Sequence, residues 1–278
     1  MKIARIGLQD NDFWALVDVD AATVQPIVGE ISDWGAAAAE GRADFELYGP
    51  PLALRDVRLL PPITPTSTIV GVGMNYVSHL EKLGVGMPSS TLGFLKPRVA
   101  IIGHGDEMAN PAITEQLDFE VELVAVLARP VREVGGQLTD AVLGYTVGND
   151  VSARDFEPPL TGGIDLFTMK GLTGATPVGP WITTKDEFGG SGQIDVGISL
   201  RVNGEERQRD RTSKMIWTID ELLAYVEARM ALDAGDILFT GTTHGVGFED
   251  GRYLREGDVV EAEIEGIGVL RNVVGAKR

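Results

Sequence analysis

The sequence predicts a β-rich α+β fold with a small α/β unit at the N-terminal side. Three observations carry this. Short apolar or alternating runs recur along the chain, bounded by turn-forming residues, with 35 glycines as punctuation. Only one stretch beyond residue 62 has convincing helical periodicity. Strand and helix patterns do not alternate, which argues against a doubly wound parallel sheet.

The elements follow in order. Lys2–Ile6 and Phe13–Val19 read as short strands, and the Ala-rich stretch Trp34–Glu40 as a helix. Pro61-Pro62-Ile63-Thr64-Pro65 interrupts regular structure, so the expected division is 1–62 for a small domain and 63–278 for a large one. Strands are then expected at Ser67–Val72, Val99–Ile102, Glu120–Ala128 and Val142–Gly148. Further strands are expected at Ile194–Val202, Asp236–Thr240, Asp258–Glu265 and Gly268–Val274. Asn203-Gly204 is a hairpin turn signal. Ile219–Ala231 is the helix: Ile219, Leu222, Leu223 and Val226 share a face, and Thr218 with Glu221 forms a capping-box pattern.

Composition narrows the function. Lys+Arg number 24 against 41 Asp+Glu, a net charge of −17, which disfavours nucleic acid and anionic membranes as partners. The chain has no cysteine, excluding disulfides, thiolate nucleophiles and iron–sulfur ligation. The first residues lack a signal-peptide core, and no apolar run reaches the ~18 residues of a membrane span. A cytoplasmic protein is expected.

The chemistry concentrates in two stretches. Asp118-Phe119-Glu120-Val121-Glu122 opens one apolar run and Asn149-Asp150 closes another. Successive strand residues point to opposite faces, so Glu120 and Glu122 point the same way. If Asp150 ends a neighbouring strand, three hard oxygen ligands converge, a donor set for Mg²⁺ or Mn²⁺ and not for zinc or copper. Spacing alone does not identify a metal site, because Glu261-Ala262-Glu263-Ile264-Glu265 repeats it and reads as a solvated strand face. What separates the two is context: Leu123–Ala128 follows Glu122 without a charge, and buried carboxylates need a cation or hydrogen bonds. Gly71-Val72-Gly73-Met74-Asn75-Tyr76 begins like a dinucleotide fingerprint, but Tyr76 replaces the third glycine.

Taken in order, several segments resemble the fumarylacetoacetate hydrolase family. They are Gly71–Tyr76, Phe94-Leu95-Lys96-Pro97, Asp118–Leu123, Gly144–Asp155, Lys170, Val202-Asn203-Gly204, Met215-Ile216-Trp217, Thr240-Gly241-Thr242 and Gly245-Val246-Gly247. The resemblance spans roughly residues 67–274, and the first 60 residues look like a small N-terminal domain of bacterial members. It implies a mixed β-roll catalytic domain, usually dimeric, with Mg²⁺ or Mn²⁺ held by Glu120, Glu122 and Asp150. It implies a small 2-oxo or diketo acid as substrate. The first expected activity is hydrolysis of a C–C bond in an acylpyruvate-like acid. The alternative is decarboxylation or isomerisation of 2-oxo dicarboxylic acids, such as oxaloacetate or products of aromatic ring cleavage.

The resemblance also assigns roles. Lys170 adds positive charge where an enolate forms, and His79 activates water. Tyr76, Arg154, Glu157 and Thr242 fall at substrate-binding positions, and Arg154 is able to hold a carboxylate bidentately. Without the resemblance, Arg154 reads equally as a salt bridge to an acid such as Asp155. Many members carry the histidine's carboxylate partner three residues on; here Lys82 stands there, and Glu81, two residues after His79, is the candidate catalytic partner, the alternative being that the dyad is absent. Glu157 replaces a common glutamine, and Thr242-Thr243-His244-Gly245 lacks a common proline. The distal pocket is expected from Leu80–Pro88 and Leu160–Leu166.

Overall fold

Seven consecutive buried residues, Val121–Leu127, form the strand around which the molecule is organised. The computed structural model describes residues 1–156, 165–190 and 194–278. Leu123, Ala125 and Leu127 enter a core shared with Leu200, Val260, Ala262 and Leu270. Val124 and Val126 pack in a second core with Trp34, Ile182 and Phe239. A strand apolar on both faces needs cover on both. A five-stranded sheet supplies one cover, and helix Ile31–Ala39 the other.

The strand lies between Val142–Asn149 and Ile237–Thr242, antiparallel to each. Ile237–Thr242 pairs in parallel with Ile69–Gly73, which pairs with Leu92–Leu95. On the other side, Val142–Asn149 pairs with Thr176–Thr184, which takes Lys2–Leu8 as its next neighbour. The N-terminal strands Lys2–Leu8, Asn11–Asp18 and Thr23–Ile27 therefore continue the same 12-stranded sheet. The five-stranded sheet runs Glu205–Arg211, Gly197–Val202, Val259–Ile264, Gly268–Lys277, Glu107–Asn110. This is the β-rich α+β roll with a small N-terminal unit.

Several elements differ from expectation for identifiable reasons. Thr176–Thr184 is a central strand that Pro177 and Pro180 disguise. Its register against Val142–Asn149 shifts between Tyr145 and Val147, an irregularity of the kind that accommodates proline. Glu205–Arg211 is almost entirely charged yet completes the Asn203-Gly204 hairpin, with both turn residues at positive φ. Val99–Ile102 is a 3₁₀ turn followed by a two-residue strand. The helix at Ile219 ends at Glu227, earlier than expected, and its capping box forms as expected. Helix Ile31–Ala39 begins before Trp34 because Glu30 and Asp33 close a reciprocal cap. Among the described residues no helix is long and apolar enough to cross a membrane.

Candidate active site

The central strand is entered through a break in pairing. Leu117–Asp118 pairs with Ser152–Ala153, whereas Val121 pairs with Asn149, so Glu120 lies between two ladders. Asn149 bridges the break: its Oδ1 accepts the Glu120 amide at 2.9 Å, and the Asp150 amide donates to the Glu120 carbonyl at 2.8 Å. Across the strand, the register against Ile237–Thr242 shifts between Glu122 and Val124. Gly241 sits there at φ +96°, a conformation glycine tolerates, and its N–H donates to Glu122 Oε2 at 2.7 Å. The result is convergence: carboxylate oxygens of Glu120, Glu122 and Asp150 lie within 4.8 Å of one another, all three side chains buried.

Three cations surround them. Lys170 Nζ donates to Glu120 Oε2 and Asp150 Oδ2, each at 2.6 Å. Lys96 Nζ, wholly enclosed, donates to Asp150 Oδ1 at 2.6 Å and to the Lys170 carbonyl at 2.7 Å. Arg154 donates from Nε to Asp118 Oδ2 at 2.9 Å and from Nη2 to Glu120 Oε1. Burial would raise Glu120, but Lys170 and Arg154 outweigh it and hold the carboxyl well below its ordinary range. Burial pulls Lys170 down, and Asp150 with Glu120 more than restore it. Burial lowers Lys96 despite Asp150. Glu122 stands apart: burial first, then Asp150 and Glu120, push it well above the usual carboxylate value.

This imbalance is a direct test of metal fit. Among the described residues, four buried carboxylates, Asp118 included, face three cations, and Glu122 has a backbone N–H but no salt-bridge partner. An uncompensated buried carboxylate, in a cluster of hard oxygen donors, suits a divalent cation of the Mg²⁺ or Mn²⁺ kind.

The cluster forms one wall of a cavity of about 290 Å³, lined also by Arg154, Lys170, His79 and Thr242. Its lining includes Leu83 and Leu166, from the two segments expected to shape the distal pocket; residues 160–164 lie outside the described residues, as does Glu157. Met74, on this wall, has φ +64°, a strained conformation for a side-chain-bearing residue. His79 sits on helix Val77–Leu83, which stops at Gly84 in the left-handed region. The histidine's partner is Glu249, with Nδ1 3.3 Å from Oε1. Glu249 Oε2 also accepts the Gly245 N–H at 2.9 Å. Burial alone would raise Glu249, but the His79 and Gly245 hydrogen bonds bring it below its ordinary value.

Two expected residues are not on the cavity wall. Glu81 points into solvent, because positions two apart on a helix face different ways. Tyr76 is fully buried and does not line the cavity, and its hydroxyl has no hydrogen-bond partner among the described residues. Arg154 does not pair with Asp155, which instead accepts from Thr114 Oγ1 and the Glu115 N–H. The Thr242 hydroxyl donates to the Val121 carbonyl at 2.8 Å and accepts from Gln208 Nε2 at 2.9 Å. Gln208 is completely buried, and its Oε1 takes the Val121 N–H at 2.9 Å. It thus clamps the backbone between the two glutamates.

Lys96, Asp118, Gln208 and Glu249 were missed as site residues by sequence reasoning. Lys96 had a readable signal, a lysine set in the apolar run Phe94-Leu95-Lys96-Pro97. Glu249 had none, lying 170 positions from His79.

A β-roll carrying a buried tri-carboxylate cluster on a small cavity defines an enzyme class that acts on small 2-oxo and diketo acids. The chain belongs to the fumarylacetoacetate hydrolase family: the family model described as fumarylacetoacetate (FAA) hydrolase C-terminal matches residues 68–275. A second model, Rv2993c-like N-terminal, matches residues 1–62. The chain is 32% identical to the mitochondrial oxaloacetate tautomerase fahd2 of Xenopus laevis, over 97% of this chain and 86% of that one. It superposes on the structure of 5-carboxymethyl-2-hydroxymuconate delta-isomerase from Mycobacterium smegmatis with TM-score 0.80 and 34% identity, covering 100% of both chains. A fumarylacetoacetate hydrolase from Exiguobacterium antarcticum gives TM-score 0.81 at 31% identity, covering 99% of each.

Proposed function

We propose that this protein is a metal-dependent tautomerase or isomerase of 2-oxo acids, working through an enolate. The observation that carries the reading is the tri-carboxylate cluster with Lys170 set against it and a His79–Glu249 pair on the same cavity. Names of similar proteins favour it over hydrolysis: one is a tautomerase and one an isomerase, against one hydrolase. Residues 63–278 carry the chemistry in this reading, and residues 1–62 extend the sheet.

Glu120, Glu122 and Asp150 would hold Mg²⁺ or Mn²⁺, which would supply Lewis-acid polarisation of a bound 2-oxo acid. Lys170 places an ammonium where negative charge develops on the enolate oxygen. Arg154 orients the substrate carboxylate with the guanidinium N–H groups that Asp118 and Glu120 leave over. His79 carries a proton to or from the carbon beside the keto group, and Glu249 fixes the ring and balances its charge. In the enol-to-keto direction the enol proton passes to solvent water, His79 delivers its proton to that carbon and is reprotonated from water, and the skeleton stays intact.

The second reading is C–C hydrolysis, favoured by the same His79–Glu249 pair, which is equally suited to activating water. One experiment separates them. Metal-stripped protein, then protein with Mg²⁺, is mixed with the enol forms of oxaloacetate and phenylpyruvate and with acetylpyruvate, and followed by proton NMR. Mg²⁺-dependent enol–keto conversion with no fragments supports the proposal. Pyruvate and acetate from acetylpyruvate would replace it with the hydrolase. His79→Ala is expected to slow proton transfer by about 10²–10⁴-fold.

A further inference from the structure

The cavity wall has two chemically distinct parts. Its charged side chains are largely tied together: Glu120 and Asp150 with Lys170, Glu120 also with Arg154, Glu122 with the Gly241 N–H, and His79 with Glu249. Much of the remaining described wall is apolar, formed by Leu83, Leu92, Phe156, Leu166, Val246 and Phe248. Leu92 is 41% exposed and Phe248 50% exposed, so an apolar ligand group has hydrocarbon surface left to cover.

The cations are distributed unevenly. Lys170 spends its ammonium on Glu120 and Asp150, and Lys96 is enclosed behind Asp150, off the wall. Among the described wall residues, Arg154 is the one other permanent cation, and Asp118 and Glu120 already share it; His79, when protonated, is balanced by Glu249. One carboxylate head group uses what is left. A second carboxylate at the far end of a substrate would leave water for leucine and phenylalanine without a partner, which is strongly unfavourable.

Building on the enolate reading above, we propose that the substrate is a 2-oxo acid whose far end is uncharged and apolar, an alkyl- or aryl-substituted acid, and not a 2-oxo dicarboxylate. This sets the chain apart from the relative named for oxaloacetate, itself a dicarboxylate.

The test is calorimetric titration of the Mg²⁺-loaded protein with a matched pair. In 5-methyl-2-oxohexanoate an isopropyl group replaces the far carboxylate of 2-oxoglutarate at similar volume. The apolar acid is expected to bind at least about tenfold more tightly, and 2-oxobutanoate, 2-oxopentanoate and 2-oxohexanoate to gain about fourfold per methylene. Equal or tighter binding of 2-oxoglutarate, or a flat series, overturns the inference. Leu83→Arg, which adds a cation to the apolar wall, is expected to narrow the gap to below about threefold; an unchanged gap also overturns it. Oxalate, all head group, separates the two levels. If it binds only with metal while 2-oxoglutarate is preferred, the selectivity claim alone falls. If it shows no metal-dependent binding, the enolate reading falls and this inference with it.

Discussion

Two stretches of this chain place acids at alternate positions, and they meet opposite fates. Glu120 and Glu122 are buried in the middle of the molecule. Glu261 and Glu263 lie on a strand of the five-stranded sheet and Glu265 in the turn after it, where Arg271, Arg201 and Arg211 approach at 3.7, 3.1 and 3.6 Å at the surface. The apolar residue between the acids is buried in both, Val121 as well as Ala262 and Ile264. What differs is the other face of the strand. Gly241 meets the Glu122 carboxylate while Thr242 and Gln208 hold the Val121 backbone beside it; Glu263 meets Arg201 at the surface. Alternation therefore specifies a half-buried strand, and the burial of the acid face decides whether its charge becomes chemistry or solubility.

The comparison is sharpened by breaking one ion pair in each region. Lys96→Met leaves Asp150 short of a buried partner and should cost about 3–5 kcal/mol in urea unfolding of the metal-free protein. Arg201→Met, beside Glu263, should cost no more than about 1 kcal/mol. Similar losses at the two sites would erase the distinction.

Neutralising one acid comes next. Glu122→Gln should weaken Mg²⁺ binding by about 100-fold or more, beyond the 10–100-fold that outer-shell changes cost. It should also stabilise the metal-free protein, since it removes an uncompensated buried charge. Calorimetric titration and thermal melts read both; tighter metal binding would end the ligand assignment.

A pH series isolates the same group. The folded-state pKa of Glu122 is raised by burial and its acidic neighbours. Its contribution to stability is thus full below the ordinary carboxylate range and fades as pH climbs through the raised value. As pH rises above the ordinary carboxylate range, the melting temperature of the metal-free protein should fall more steeply than that of Glu122→Gln. Identical slopes would contradict the shift. Smallest of all is Glu263→Gln, expected to alter stability by within about 0.5 kcal/mol and metal affinity not at all; a clear effect on either would show that the solvated pair is coupled to the cavity.

Legibility followed the range of the interactions. Strands Val121–Leu127 and Val142–Asn149 were readable because uncharged runs of that length have few other places to go. The Thr218 cap was readable because its partner is three residues away. The three carboxylates were readable because the apolar run beside them announces burial. Asn149, whose side chain holds the break at Glu120, gave no such sign. Glu249, Gln208 and Lys96 reach the site from 170, 87 and 54 positions away, and no local pattern encodes that. Thr176–Thr184 was hidden by prolines, and Glu205–Arg211 by charge on the side that faces water.

The continuity of the small N-terminal strands with the central sheet bears on how the chain is made. Lys2 meets Thr183 across 181 positions. At roughly 5–20 residues per second, the ribosome leaves that end of the first hairpin unpaired for about 10–40 s. Ile3, which ends up wholly enclosed in the second core, has only the N-terminal part of that core beside it during that interval. An open strand edge bearing an isoleucine is a template for the wrong partner. Slow synthesis or crowded expression thus has a specific point of failure in this molecule, well away from the cavity where its chemistry resides.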